Sequence, residues 1–170
     1  FENYDLNSPQ SIATGEIVFV NNIFYAPAGT VNANWQKQNN KNGIYKFSEG
    51  QWTNYNNKQF AQLDSLPDLV SVAIDPRDGS VWTGSYGGGL LHIKTDNSFE
   101  IFKQNSPIGQ ATFDPGSYRV SGLAFDKENN LWIATETNGI YVWNNKLIVR
   151  YAAADSLTSN KINYLYKDSD

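Results

Sequence analysis

The chain contains no cysteine and no methionine, and it has a single histidine. Without cysteine there are no disulfides and no thiolate metal sites. That leaves the compartment open, although it suits a bacterial periplasm or cell surface. No apolar run approaches the roughly 18 residues that a membrane-spanning helix needs. Cationic residues are few: 13 Lys and Arg stand against 17 Asp and Glu, for a formal charge of −4. That balance argues against a nucleic-acid groove, which requires clustered Lys and Arg. Sustained 3.6-residue periodicity is also missing, so helix is expected to stay below roughly a tenth of the chain. No secretory signal is visible, and with no methionine the chain reads as a trimmed segment of something larger.

What is present is a repeat. The 170 residues are 40% hydrophobic and 14% aromatic, a globular composition. Leu69 to Ile93 is written again at Val120 to Trp143. Val72, Ile74 and Asp75 fall on Leu123, Phe125 and Asp126. After one extra residue in the first copy's turn, Trp82 falls on Trp132 and Gly89 on Gly139. A period of about 50 residues lies in the range of propeller and solenoid repeats. Within each copy, short runs of β-branched and aromatic residues at period two are punctuated by Asp, Asn and Gly, which marks strands and hairpins. Three strands are explicit, and a fourth is expected at Phe99 to Phe102 and at Leu147 to Tyr151. Four antiparallel strands per repeat form the blade of a β-propeller.

The expected fold is therefore all-β: a partial β-propeller of three four-stranded antiparallel blades, about 16–56, 69–103 and 119–151. An outer strand at 1–5 precedes them, because Phe1 to Pro9 copies Phe99 to Pro107. An inner strand at 161–170 follows, because Lys161 to Asp168 repeats the opening strand. Half-blades at both ends expose unpaired strand edges, so the isolated chain is expected to self-associate or fray, and its parent to be a closed ring. In an up-and-down blade, turns 1–2 and 3–4 share one face, and these are short throughout. The other face receives every long connection: 27–42, 57–68, 104–118 and 152–160. Long loops on a rigid scaffold are where binding concentrates.

Several residues invite a chemical role. Trp35 stands in a polar insert without strand periodicity, flanked by Asn32, Asn34, Gln36 and Gln38. Its ring could stack on a sugar or a partner side chain, or fold back as the insert's own small core. Candidate binding residues on the loop-rich face are Trp35, Gln36, Tyr86, Asp114 and Tyr118. Trp82 and Trp132, mid-strand at matching positions, are expected to pack between blades. Asp75 and Asp78 lack the spacing of a calcium loop and read as turn residues. Gly87 to Gly89 is a tight turn, since no helix follows to make a phosphate cradle. His92 lacks a nearby catalytic partner and is expected to be structural. Asp64, Asp68, Asp114 and Asp155 could supply the paired carboxylates of glycoside chemistry, yet each also fits as a turn residue. No catalytic residue, cofactor or metal is expected.

The repeat resembles the two-component-regulator propeller repeats of Bacteroidetes. Trp82-Thr83-Gly84-Ser85 and Trp132-Ile133-Ala134-Thr135 correspond to that family's W-I-G-T, with Ala134 departing from the glycine. Leu157-Thr158-Ser159-Asn160-Lys161-Ile162 resembles its L-x-S-N-x-[IV] segment. A longer series is similar to the PorZ-like proteins, propeller components of the type IX secretion system. It comprises Ala26 to Gly29, Gly50-Gln51-Trp52 with Tyr55-Asn56, Val72 to Pro76 with Gly84 to Tyr86, and Tyr118 to Asp126. That resemblance implies tandem seven-bladed propellers, a C-terminal domain, and a cell-surface role with the sortase complex that attaches cargo to anionic lipopolysaccharide. The expected function is a non-enzymatic, extracytoplasmic binding module, in the periplasm or at the outer-membrane surface, with a protein or glycan partner. The alternative is the periplasmic polysaccharide-sensing propeller of a hybrid two-component regulator.

Overall fold

A computed structural model of the chain describes residues 7–11, 15–155 and 157–168. Among the described residues twelve strands form three four-stranded meanders. The first holds β1 (Val18–Val20), β2 (Ile23–Pro27), β3 (Ile44–Ser48) and β4 (Gln51–Tyr55). The second holds β5 (Leu69–Ile74), β6 (Val81–Gly87), β7 (Gly89–Ile93) and β8 (Phe99–Phe102). The third holds β9 (Tyr118–Phe125), β10 (Leu131–Thr135), β11 (Ile140–Trp143) and β12 (Leu147–Tyr151). Each strand pairs antiparallel with the next in its blade. Among the described residues the only helical element is a 3₁₀ turn at Ala61–Ser65.

Period-two alternation explains why the middle blade is apolar on both faces. Leu69 and Val72 of β5, Val81 of β6, and Leu91 and Ile93 of β7 pack with Tyr25, Ile44 and Tyr55 of the first blade. Their neighbours Ala73, Trp82 and Leu90 point the other way, onto Val120, Leu123, Ile133 and Trp143 of the third. Fully burying one such aliphatic side chain is worth about 1.5–3 kcal/mol, so each inter-blade layer is a core in its own right. Trp82 lies in the second layer, stacked on His92 at 4.2 Å and edge-on to Trp143 at 5.4 Å.

The repeat equivalence extends to atoms. Gly43, Gly89 and Gly139 open the third strand of their blades with φ of +76°, +88° and +78°. A β-carbon on any of them would fall on the carbonyl oxygen ending the fourth strand, that of Tyr55, Phe102 or Tyr151 respectively. Glycine is required there for the positive φ and for the close approach alike. The first turns diverge, however. Asp126 caps its turn through the amides of Glu128 and Asn130 and accepts Trp132 Nε1–H at 2.8 Å. With one more residue in its turn, Asp75 instead accepts the Arg77 amide and is gripped by the Arg77 guanidinium at 2.6 Å, and Trp82 Nε1 has no hydrogen-bond partner among the described residues. Trp132 is correspondingly only half-buried, stacked on Tyr151 at 5.8 Å.

The outer strand expected at 1–5 lies outside the described residues. The inner strand expected from Lys161 carries no strand pairing over 161–168. That segment runs beside β9, where the Ile162 amide donates to the Thr135 carbonyl at 3.1 Å and Ser121 Oγ donates to the Ile162 carbonyl. Leu165 packs against Gly122. These contacts hold it in place without the reciprocal ladder that defines a strand.

Candidate functional site

The β2–β3 insert, the β8–β9 connection and the β10–β11 turn meet at one end of the blades, and an ion-paired chain marks the meeting point. Lys37 of the first blade's insert reaches Asp114 of the β8–β9 connection at 2.6 Å. Asp114 also accepts from Arg119, at the start of β9, at 2.9 Å, and Arg119 turns its other nitrogen to Glu136, at the β10–β11 turn, at 2.5 Å. Lys37 and Arg119 together hold the Asp114 carboxyl at about 2, well below its ordinary 3.8. The Lys37–Asp114 pair is partly exposed, so it adds little stability, about 0–1 kcal/mol. Its consequence is positional: three loops from different blades are set side by side.

Of the residues expected to bind, Trp35, Tyr86, Asp114 and Tyr118 belong to this neighbourhood. Trp35 is half-buried, with its ring centroid 6.1 Å from that of Tyr86, and the Arg119 guanidinium lies 5.4 Å from the Tyr86 ring. Tyr86 has 0% of its surface exposed and Tyr118 has 5%, so both support the face from beneath. Burial, reinforced by the Glu136 carboxylate, pushes the Tyr86 phenol far above its usual range. Tyr118 OH accepts from Gln110 Nε2 at 3.2 Å. Gln36 is exposed, and its Oε1 accepts from Asn32 Nδ2 at 2.8 Å.

The insert is built to hold Trp35 in an unfavourable conformation. Its φ is +57°, in the left-handed region that costs a bulky residue roughly 1–2 kcal/mol. Asn32 offsets this by accepting the amides of Asn34 and Gln36 on Oδ1, both at 2.9 Å, while its carbonyl takes the Trp35 amide. Farther along, the fully buried Asp68 accepts three backbone amides, from Gln38 and Asn39 on Oδ2 and from Asn40 on Oδ1, at 2.8–2.9 Å. The loop bearing Trp35 is therefore anchored at both ends by side-chain acceptors.

Beside Trp35 opens a cavity of about 440 Å³, at the loop-rich end of the innermost strands. Glu16, Thr30, Trp35, Ser121, Asn163 and Tyr164 contribute its polar and aromatic lining. Glu16 accepts the Val72 amide and the Tyr164 hydroxyl, each at 3.1 Å, and burial pushes its carboxyl above the ordinary value.

The other candidate groups are committed elsewhere. Asp64 pairs with Lys41 and Asn57. His92 meets Ser80 Oγ at 2.8 Å, and burial lowers its pKa. Among the described residues no group of three or more His, Asp or Glu is placed to hold a metal ion. Sequence reasoning missed Lys37, Arg119, Glu136 and Glu16. Arg119 alone carried a signal, as a cation inside an otherwise uncharged strand; the rest are joined only by the fold.

Comparison with known proteins agrees with this architecture. Residues 114–137 match the model of the two component regulator propeller. A histidine kinase P4 of Formosa agariphila is 31% identical over 85 residues, covering 46% of this chain and 6% of its own length. PorZ, described as an essential bacterial surface component of the type-IX secretion system of Porphyromonas gingivalis, superposes with a TM-score of 0.70 at 22% identity. The match covers 85% of this chain and 20% of PorZ. The extracellular domain of a putative hybrid two component system of B. thetaiotaomicron superposes with a TM-score of 0.58 at 19% identity, over 90% of this chain and 19% of its own. The chain thus spans a small part of each relative. It has the β-propeller fold, and its residues 114–137 carry the two component regulator propeller repeat.

Proposed function

We propose that this chain is part of a non-enzymatic, extracytoplasmic binding propeller that engages a protein or glycan partner at the cell surface through its loop-rich face. The observation that carries this reading is the convergence of the β2–β3 insert, the β8–β9 connection and the β10–β11 turn around Asp114 and Arg119. A rigid β scaffold presenting tied loops is the arrangement of a recognition surface. Three of the four candidate acids, Asp64, Asp68 and Asp114, are engaged in structural bonds, which supports a non-catalytic reading. Similarity to PorZ favours a place in type IX secretion, working with the cell-surface sortase complex and anionic lipopolysaccharide. The likeness to a hybrid two component extracellular domain supports the second reading, a periplasmic sensor of polysaccharide fragments.

Deletion of the parent gene separates the two. Loss of cargo from the cell surface, with polysaccharide-induced transcription intact, is the expected result. Normal cargo display with lost induction selects the sensor, and no change in either overturns both.

A further inference from the structure

We propose that the cavity beside Trp35 is a binding site for a neutral saccharide, with the Trp35 indole as its stacking platform and Glu16 as its hydroxyl acceptor. This deepens the binding role proposed above and rests on it. Three observations lead there. The first is strain: Trp35 is held at φ +57° by Asn32, and its indole packs toward Tyr86 while staying only half-buried at the cavity. A bulky side chain kept in a costly conformation, half-exposed at the rim of a cavity, is preorganised for something outside the chain. The second is size and lining. At about 440 Å³ the space suits one or two sugar rings, and it combines an aromatic with hydroxyl, amide and carboxylate groups. Apolar ring faces with hydrogen-bonding edges are what a pyranose presents.

The third observation is charge, which decides between sugar classes. Among the described residues Glu16 is the one charged residue lining the cavity, and no Lys or Arg lines it. Each Glu16 oxygen already accepts one hydrogen bond, from Val72 N or Tyr164 OH, and each keeps a lone pair for a ligand hydroxyl. An anionic sugar brought against that carboxylate would meet repulsion with no compensating cation. Two cations of the face, Lys37 and Arg119, are spent on Asp114 and Glu136 instead. Anionic lipopolysaccharide therefore does not belong in this cavity, even if it binds elsewhere on the face.

The test is calorimetric titration of the intact protein with cellotriose, maltotriose and mannotriose, and with trigalacturonate as the anionic counterpart. At least one neutral trisaccharide is expected to bind and trigalacturonate to bind more weakly. Trp35→Gly relieves the backbone strain while removing the ring, so it leaves a folded protein, and it is expected to weaken neutral binding at least ~10-fold, equivalent to about 1.4 kcal/mol. Glu16→Gln is expected to narrow the gap between neutral and anionic probes. Binding of no neutral probe, unchanged affinity in Trp35→Gly, or preference for trigalacturonate in the unsubstituted protein overturns the assignment. Such a failure, with the deletion phenotype intact, refutes the cavity alone and leaves the wider binding role standing.

Discussion

Replacing Asp68 by Asn tests how the Trp35 loop is held. The carboxylate has no exposed surface, and its two oxygens accept the amides of Gln38, Asn39 and Asn40. Asn preserves the shape and tolerates the backbone φ of +51° at this position. It offers one oxygen, however, and its NH2 must then face an amide donor. A hydrogen bond to a charged acceptor is worth about 1.5–3 kcal/mol, and an unmatched donor costs a similar amount. The donor residues lie near solvent, so water relieves part of that cost, and a net loss of ~2 kcal/mol is expected for this loop. That corresponds to a roughly 30-fold fall in protection of the amides of residues 38–40. The ladders of β6 and β7 do not use these bonds, so Thr83 and Leu91 should keep their protection. Hydrogen exchange read residue by residue distinguishes the outcomes. An equal fall across β6 and β7 would mean that the carboxylate supports the whole blade, and no fall anywhere would mean that it supports nothing.

Three further expectations follow from the geometry. Gly89→Ala should cost at least ~2 kcal/mol more than Gly79→Ala in urea denaturation, since both pay for a positive φ but only the β-carbon at 89 strikes the Phe102 carbonyl; equal losses would contradict the steric account. The depressed Asp114 carboxyl makes its contribution above its unfolded value of 3.8 and loses it as pH falls toward about 2, so a carboxyl-carbon NMR titration should show Asp114 charged at pH 3.5, and a midpoint near the ordinary value would dissolve the Lys37–Arg119 clasp. His92 titrates below 6.5 because burial disfavours its cation; the unfolded chain therefore binds more protons as pH drops through 6.5, stability declines below that point, and an imidazole resonance with a midpoint at or above 6.5 would refute the burial argument.

The strands were readable because their signal is local. The fourth strands at Phe99–Phe102 and Leu147–Tyr151, and β4 at Gln51–Tyr55, lie where alternation and turn residues place them. The glycines of the third strands were marked by repetition alone. Less of the candidate site was legible. Lys37 and Asp114 are 77 positions apart, and nothing in either segment announces the other. Tyr86 and Tyr118 read as loop-face residues because they end strands there, but the insert and Arg119 cover them, and a cover supplied by distant chain leaves no trace in local pattern. The segment from 161 copied the opening-strand sequence closely, yet a strand exists only where a partner offers a ladder.

The joints between blades have a consequence for how this surface can change over evolutionary time. Where blade one meets blade two, the amides of Glu16 and Gly29 donate to the carbonyls of Val70 and Leu69, and Asp68 donates to Asn40. Where blade two meets blade three, Tyr86 pairs with Arg119 and Gly87 with Tyr118 through the backbone. These fastenings are made by peptide groups, which every non-proline residue supplies in the same form. The ion pairs at the loop end therefore add position to joints that the backbone already fastens. A lineage can rewrite the loop-end side chains, exchanging one specificity for another, while the frame beneath stays fastened.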